Sequence, residues 1–293
     1  MSPASTPWQI LNALWPFLQV AAPYARHLQS RLRAHPGKPG AENPFTAALT
    51  DADLSLQTLL EVAVLGTFPT LRFYGEEAAA SYNTSYFRSQ ALGPPGDYLL
   101  LLDPIDGTRF YLDGQPNYHL IISLADAEDY AAVLLITPSQ GTYIYALRGE
   151  GVYTGYLAQP LTAAVPYHLP TPQPVVYLGG TLGHLAAVLR PQFQVIHLPS
   201  DYSPAVPVPN HTGILDGSLT GSILVEAAWI DAAAVAFVAQ EAGCVVTTLT
   251  GAALPPLHAE PAYRRAGVVI GTSPTVHRRL LEVLQVFPEG QAT

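Results

Sequence analysis

The 293-residue chain is 49% hydrophobic and only 12% charged, about half the usual quarter, which excludes disorder as its overall state and allows one large domain or two fused lobes. Its formal net charge is −9, Lys38 is its one lysine, and no basic or basic-aromatic run occurs, which excludes a nucleic-acid footprint. Cys244 is the only cysteine, so no intrachain disulfide forms and nothing points to secretion.

From Trp8 to Leu28, Ile10, Leu11, Leu14, Phe17 and Leu18 recur at helical spacing and predict an amphipathic first helix, kinked near Pro16. Gln9, Asn12, Pro16, Gln19 and Pro23 interrupt the segment and no basic stretch precedes it. Neither a signal peptide nor a membrane span is therefore expected, and the cytosol (a cytoplasmic protein) is the default location. The Pro- and Gly-rich loop His35 to Asn43 leads to a second helix from about Thr50 to Gly66, with Leu54, Leu56, Leu59, Leu60 and Val64 as its apolar set. A strand from Thr70 to Tyr74 ends at Gly75-Glu76-Glu77, and residues 78 to 96 read as a polar surface excursion.

Tyr98 to Leu102 is apolar throughout, a strand buried on both faces that delivers Asp103 at its C-terminal end. Tyr118 to Leu124, Ala131 to Ile136 and Thr142 to Leu147 read as further strands, the last two joined by a turn at Pro138-Ser139-Gln140-Gly141. Dense prolines from 160 to 174 mark a boundary between an N-terminal α+β lobe, 1–160, and a C-terminal α/β lobe, 161–293. The second lobe alternates: strand Val175 to Leu178, helix Leu182 to Leu189, strand Gln194 to His197, helix Asp231 to Ala242 closed by Gly243. Strands Val245 to Leu249 and Val268 to Ile270 and a helix Pro274 to Val286 complete it.

Carboxylates stand at the ends of these elements: Asp53, Glu76 with Glu77, Asp103 with Asp106, and Asp231. Each has a plainer reading when taken singly. Asp-Pro and Asp-Gly are turn dipeptides, Asp231 stands where a helix N-cap belongs, and Glu76-Glu77 and Asp53 suit a solvated surface. Together they suit a hard divalent cation, which takes oxygen ligands and would bring an acidic protein the positive charge that an anionic substrate needs. In Asp103-Pro104-Ile105-Asp106-Gly107-Thr108, two carboxylates and a carbonyl can share one small volume. Gly107 lets backbone approach an anion, and Thr108 adds a hydroxyl.

The hexapeptide 103–108, followed by Gly114-Gln115-Pro116, resembles the core signature of the inositol monophosphatase family, in the lithium-sensitive superfamily of Mg²⁺-dependent phosphatases. Leu49-Thr50-Asp51-Ala52-Asp53, Gly75-Glu76-Glu77, Thr142 to Gly155, and Asp231-Ala232-Ala233 with Glu241-Ala242-Gly243 resemble its other motifs, in the same order. The resemblance implies a layered α-β-α-β-α sandwich in two lobes and two or three Mg²⁺ ions. Glu76, Asp103 and the Ile105 carbonyl would hold one ion, and Asp103, Asp106 and Asp231 a second, with Glu77 near a third. Thr108 and Asp53 would position and activate the attacking water. Gly107 and Thr108 would bind phosphate through their amides, with Asp106 and Asp231 also facing the substrate. The implied reaction is hydrolysis of a small phosphorylated polyol, sugar or nucleotide by direct water attack, with inositol monophosphate the default. A small-molecule phosphate ester is thus the expected partner, with no nucleic-acid polymer and no membrane; a homodimer is compatible with the sequence.

The sequence departs from the family pattern at several places. The tryptophan is one residue removed from its aspartate in Trp229-Ile230-Asp231, Cys244 replaces a glycine, and Arg109-Phe110 follows Thr108. Lys38 and Glu226 match family positions only out of register. Asp106-Gly107-Thr108 also invites comparison with haloacid-dehalogenase-like phosphatases, whose nucleophilic aspartate lies two residues before the second; here the separation is three. A non-catalytic relative that binds metal or sugar phosphate is the other alternative. His119, His184, His197 and His211 show no ligand pairing and read as structural or surface residues. Arg264-Arg265 and Arg278-Arg279 read as solvated, and Cys244 as a small core residue.

Overall fold

The computed structural model describes residues 5–32, 50–77 and 90–286. The loop His35 to Asn43, Lys38 and residues 78–89 lie outside them. The chain packs into two compact units, Met1–Pro166 and Tyr167–Thr293, each holding one sheet flanked by helices.

The first unit opens with α1 (Pro7–Leu28). Thr6 and Gln9 form a capping box at its start, each side chain accepting the other's backbone N–H. Pro16 and Pro23 each remove an internal hydrogen bond, yet the helix runs through both. Burial of one face against the sheet offsets that loss: Ile10, Leu11, Leu14, Trp15 and Leu18 are at most 3% exposed. Side chains of that size contribute roughly 1.5–3 kcal/mol each on full burial. Phe17, expected on the buried face, is instead 39% exposed, and Trp15 takes the inner position, donating Nε1–H to the Gln159 carbonyl at 2.9 Å.

Helix α2 (Asp51–Thr67) is capped by Thr50 and buries Leu56, Leu60 and Val64; Leu54 and Leu59 are half-buried. Then come β1 (Arg72–Gly75), β2 (Leu99–Asp106), the short α3 (Thr108–Leu112), β3 (His119–Ala125), β4 (Tyr130–Thr137), β5 (Thr142–Leu147), β6 (Gly151–Tyr156) and β7 (Val165–Pro166). The seven strands are ordered β1 to β7, an antiparallel meander with β1 added parallel to β2. All eight residues of β2 are buried, as its unbroken apolar run requires.

The second unit comprises β8 (Val175–Leu178), α4 (Ala186–Leu189), β9 (Gln194–His197), α5 (Leu198–Asp201), α6 (Gly213–Asp216), β10 (Gly221–Ala228), α7 (Ala232–Glu241), β11 (Val245–Thr247), β12 (Arg264–Gly271) and α8 (Pro274–Val286). Its sheet is ordered β11-β12-β10-β8-β9 and mixes parallel and antiparallel pairs. The central strand β10 went unread in the sequence. It begins with Gly221 and ends in Ala227-Ala228, and residues 221–224 are buried on both faces, so no period-2 alternation marks it. Leu182 to Leu189, expected as one helix, is a 3₁₀ turn followed by α4. Arg265 corrects a second expectation. It is 1% exposed and donates to Glu260 (3.2 Å) and the Pro255 carbonyl (2.8 Å). Among the described residues no helix is long and apolar enough to cross a membrane.

Candidate functional site

The local shape of the site begins with Pro104. Proline has no N–H for the ladder, and the β2–β3 register slips there: Asp103 pairs with Ile121, but Asp106 pairs with His119. Three steps along β2 oppose two along β3, which is a β-bulge. In a regular strand, residues three apart point to opposite faces. The extra residue restores parity, so Asp103 and Asp106 share the face of their partners Ile121 and His119. The strand thus continues past Asp103, where the sequence reading ended it, and displays both carboxylates on one side. Asp103 Oδ1 also accepts the N–H of Ile105 at 3.0 Å.

Gly107 follows at φ 82°, ψ 37°, a left-handed conformation that favours glycine, and turns the chain from β2 into α3. That turn folds Thr108 back, so that its Oγ lies 2.9 Å from the Ile105 carbonyl and 3.3 Å from Asp53 Oδ1. Helix α3 is fixed to α1 by Tyr111, whose hydroxyl donates to the Ala25 carbonyl at 2.7 Å, and by the Gln29 amide, which donates to the carbonyls of Tyr111 and Gln115. Arg109, next to Thr108, is engaged by Asp113 one turn on, at 2.8 and 3.3 Å.

Asp53 serves α2 and this site together. Its Oδ2 accepts the Thr50 N–H (2.8 Å) and hydroxyl (2.5 Å), closing a capping box, while Oδ1 faces Thr108. The residue is fully buried. Burial, opposed by the Thr50 hydrogen bonds and reinforced by the charges of Glu76 and Glu77, lifts its carboxyl to about 7. Glu76 stands beside Asp103: the β1–β2 register pairs Gly75 with Leu102, and the Glu76 N–H donates to the Leu102 carbonyl at 3.0 Å. Glu77 is 6% exposed.

The first unit therefore gathers Asp53, Glu76, Glu77, Asp103, Ile105, Asp106, Gly107 and Thr108 around one end of β2. Among the described residues no three His, Cys, Asp or Glu side chains close on a single point as an assembled metal centre. The donors nevertheless fit Mg²⁺ by chemistry: carboxylates and a carbonyl, all oxygen, close enough for the charges of Glu76 and Glu77 to act on Asp53. His119, set aside in the sequence, lies with Nδ1 3.4 Å from Asp106 Oδ2. Only the register across the bulge reveals that neighbour, and no local spacing signals it.

Asp231 belongs to the second unit. It caps α7, accepting the Ala232 N–H, in an irregular conformation (φ −129°, ψ −93°). The Trp229 ring packs edge-on against Tyr263 (centroids 5.2 Å apart), and the Trp229 backbone N–H donates to the Tyr263 carbonyl at 2.8 Å, which fixes the turn leading into Asp231. Glu226 is exposed on β10 at φ 50°.

A family model, that of the inositol monophosphatase family, matches residues 15–176. Several solved structures share the fold. An IMPase from Thermotoga maritima is 16% identical, covering 94% of this chain and 97% of its own, with a TM-score of 0.69. An IMPase/NADP phosphatase solved with NADP and Ca²⁺ is 16% identical over 97% and 98%, with a TM-score of 0.71. A staphylococcal IMPase-I solved with products is 17% identical over 97% of each chain, with a TM-score of 0.70. At these identities the likeness shows fold. A curated glucose-1-phosphate thymidylyltransferase from Streptomyces griseus is 33% identical over 85 residues, which is 28% of this chain and 33% of that protein. The chain thus spans about a third of the length of this relative.

Proposed function

The chain belongs to the inositol monophosphatase family, and from that premise we propose that it is a Mg²⁺-dependent phosphomonoesterase acting on a small phosphorylated polyol, sugar or nucleotide. The observation that carries the reading is the contact of the Thr108 hydroxyl with buried Asp53, beside two carboxylates turned to one face by the Pro104 bulge. A protein that only bound a metal or a sugar phosphate would have no use for a hydroxyl–carboxylate pair.

Glu76, Asp103 and the Ile105 carbonyl would hold one Mg²⁺, Asp103 and Asp106 a second, and Glu77 would serve a third. Bound there, Mg²⁺ supplies Lewis acidity at the phosphoryl oxygens and charge neutralisation at the leaving oxygen. The Thr108 Oγ would accept a hydrogen bond from the attacking water and relay its proton, taking the water's proton as its own passes to Asp53 Oδ1, the carboxylate it contacts. The amides of Gly107 and Thr108 face the phosphate, and the positive φ of Gly107 presents them. Arg109, paired with Asp113, flanks this turn.

A panel of inositol monophosphate, fructose 1,6-bisphosphate, a 3′-phosphoadenosine nucleotide and histidinol phosphate, assayed for phosphate release with Mg²⁺, tests the reading. One ester should stand out in kcat/KM, and acid-quenched turnover should show no phosphate on the protein. Phosphate trapped on an aspartate would overturn direct water attack.

A further inference from the structure

The end of β1 is held by two different elements in two successive residues. The Glu76 N–H makes the last rung to β2, at the Leu102 carbonyl (3.0 Å). The next amide, that of Glu77, leaves the ladder and donates to the side-chain Oε1 of Gln57 at 2.8 Å. Gln57 lies on α2 one turn beyond Asp53 and is 2% exposed. Its amide lies flat against Gly75: a Cβ on that glycine would come within 2.5 Å of Oε1, 2.6 Å of Cδ and 2.9 Å of Nε2. Gly75 is therefore required by close approach, since these three atoms belong to a buried amide held by its hydrogen bond to Glu77.

We infer that Gln57 is a positioning residue: its amide turns the chain at Glu76-Glu77 and so aims both carboxylates, with Gly75 as the notch that admits it. The inference rests on the metal reading of Glu76 and Glu77 proposed above. A neutral acceptor suits the place. It satisfies the buried Glu77 N–H, which would otherwise be costly to bury, and it brings no further negative charge beside Asp53, Glu76 and Glu77. Outer groups of this kind orient the ligands of an ion, and their loss typically weakens metal binding by about 10- to 100-fold.

Calorimetric titration with MgCl₂ alone, on the full chain, provides the test. Gln57→Met keeps the length of the side chain and loses the acceptor, and should weaken Mg²⁺ binding by about 10-fold or more. Gly75→Ala should do the same by displacing the amide. Gln57→Glu keeps an acceptor oxygen and should bind Mg²⁺ more tightly than Gln57→Met. Unchanged Mg²⁺ affinity in Gln57→Met, or equal loss in Gln57→Met and Gln57→Glu, would overturn the positioning role. Asp103→Asn in the same titration separates the two readings: if it too binds normally, the metal assignment fails instead. Should the Gln57 and Gly75 variants not fold, hydrogen exchange on the wild type decides. The Glu77 amide should be protected without Mg²⁺, and exchange at the rate of an open backbone amide would contradict the inference.

Discussion

Thr108 illustrates how much one hydroxyl can be asked to do. Its Oγ lies within reach of both the Ile105 carbonyl and Asp53 Oδ1, and it occupies that place because Gly107 turns the chain in a left-handed conformation. Removing the hydroxyl leaves the bulge, the capping box and the carboxylates intact. Thr108→Ala should therefore lower kcat by about 10²-fold or more, the usual contribution of a positioned proton-transfer group. Thr108→Ser should keep most of the activity, and both variants should melt close to the wild type. A kcat in Thr108→Ala equal to that of the wild type would remove the residue from the reaction. Single residues were unevenly legible. Asp103, Asp106 and Thr108 were readable because they are adjacent in sequence. His119 was not, since it reaches Asp106 only through strand pairing across a bulge. Arg265 looked solvated because its partner Glu260 and the Pro255 carbonyl come from a loop that no periodicity describes.

At the scale of elements, packing overrode local pattern in both directions. Helix α1 persists through two prolines because its inner face is buried, yet the rotation that buries Trp15 leaves Phe17 outside. Strand β10 is hidden in the sequence because burial on both faces erases alternation, whereas β2, equally buried, is betrayed by four consecutive leucines. A pH dependence belongs to this scale as well. His277 on α8 is buried, with Nε2 2.9 Å from the Thr247 hydroxyl on β11, and burial lowers its pKa from 6.5. A lowered folded pKa means that the unfolded chain binds the proton first. The contribution of His277 is thus complete above pH 6.5 and is lost as the pH falls below it. Urea midpoints at pH 7.5 and 5.5 (about one unit either side of an ordinary histidine) check this: the wild type should lose more stability between them than His277→Asn. Equal losses would show that His277 titrates alike in both states.

For the whole molecule, the mixed α/β class was legible because hydrophobic runs and turn residues punctuate the chain densely, whereas the layered fold and the order of motifs were read only through the family resemblance. What the order alone does not carry is aim. Facing Asp103 and Asp106 the same way takes a bulge, and turning Glu77 out of the β1 ladder takes Gln57. The most direct measurement is phosphate release by purified protein from the best ester of the panel, with Mg²⁺ and with EDTA, for the wild type and for Asp103→Asn. The wild type should turn over only with Mg²⁺, and Asp103→Asn should retain the fold by circular dichroism while releasing no phosphate above the uncatalysed rate. Release that persists in EDTA, or in Asp103→Asn at the wild-type rate, would contradict a metal-dependent reaction at this site.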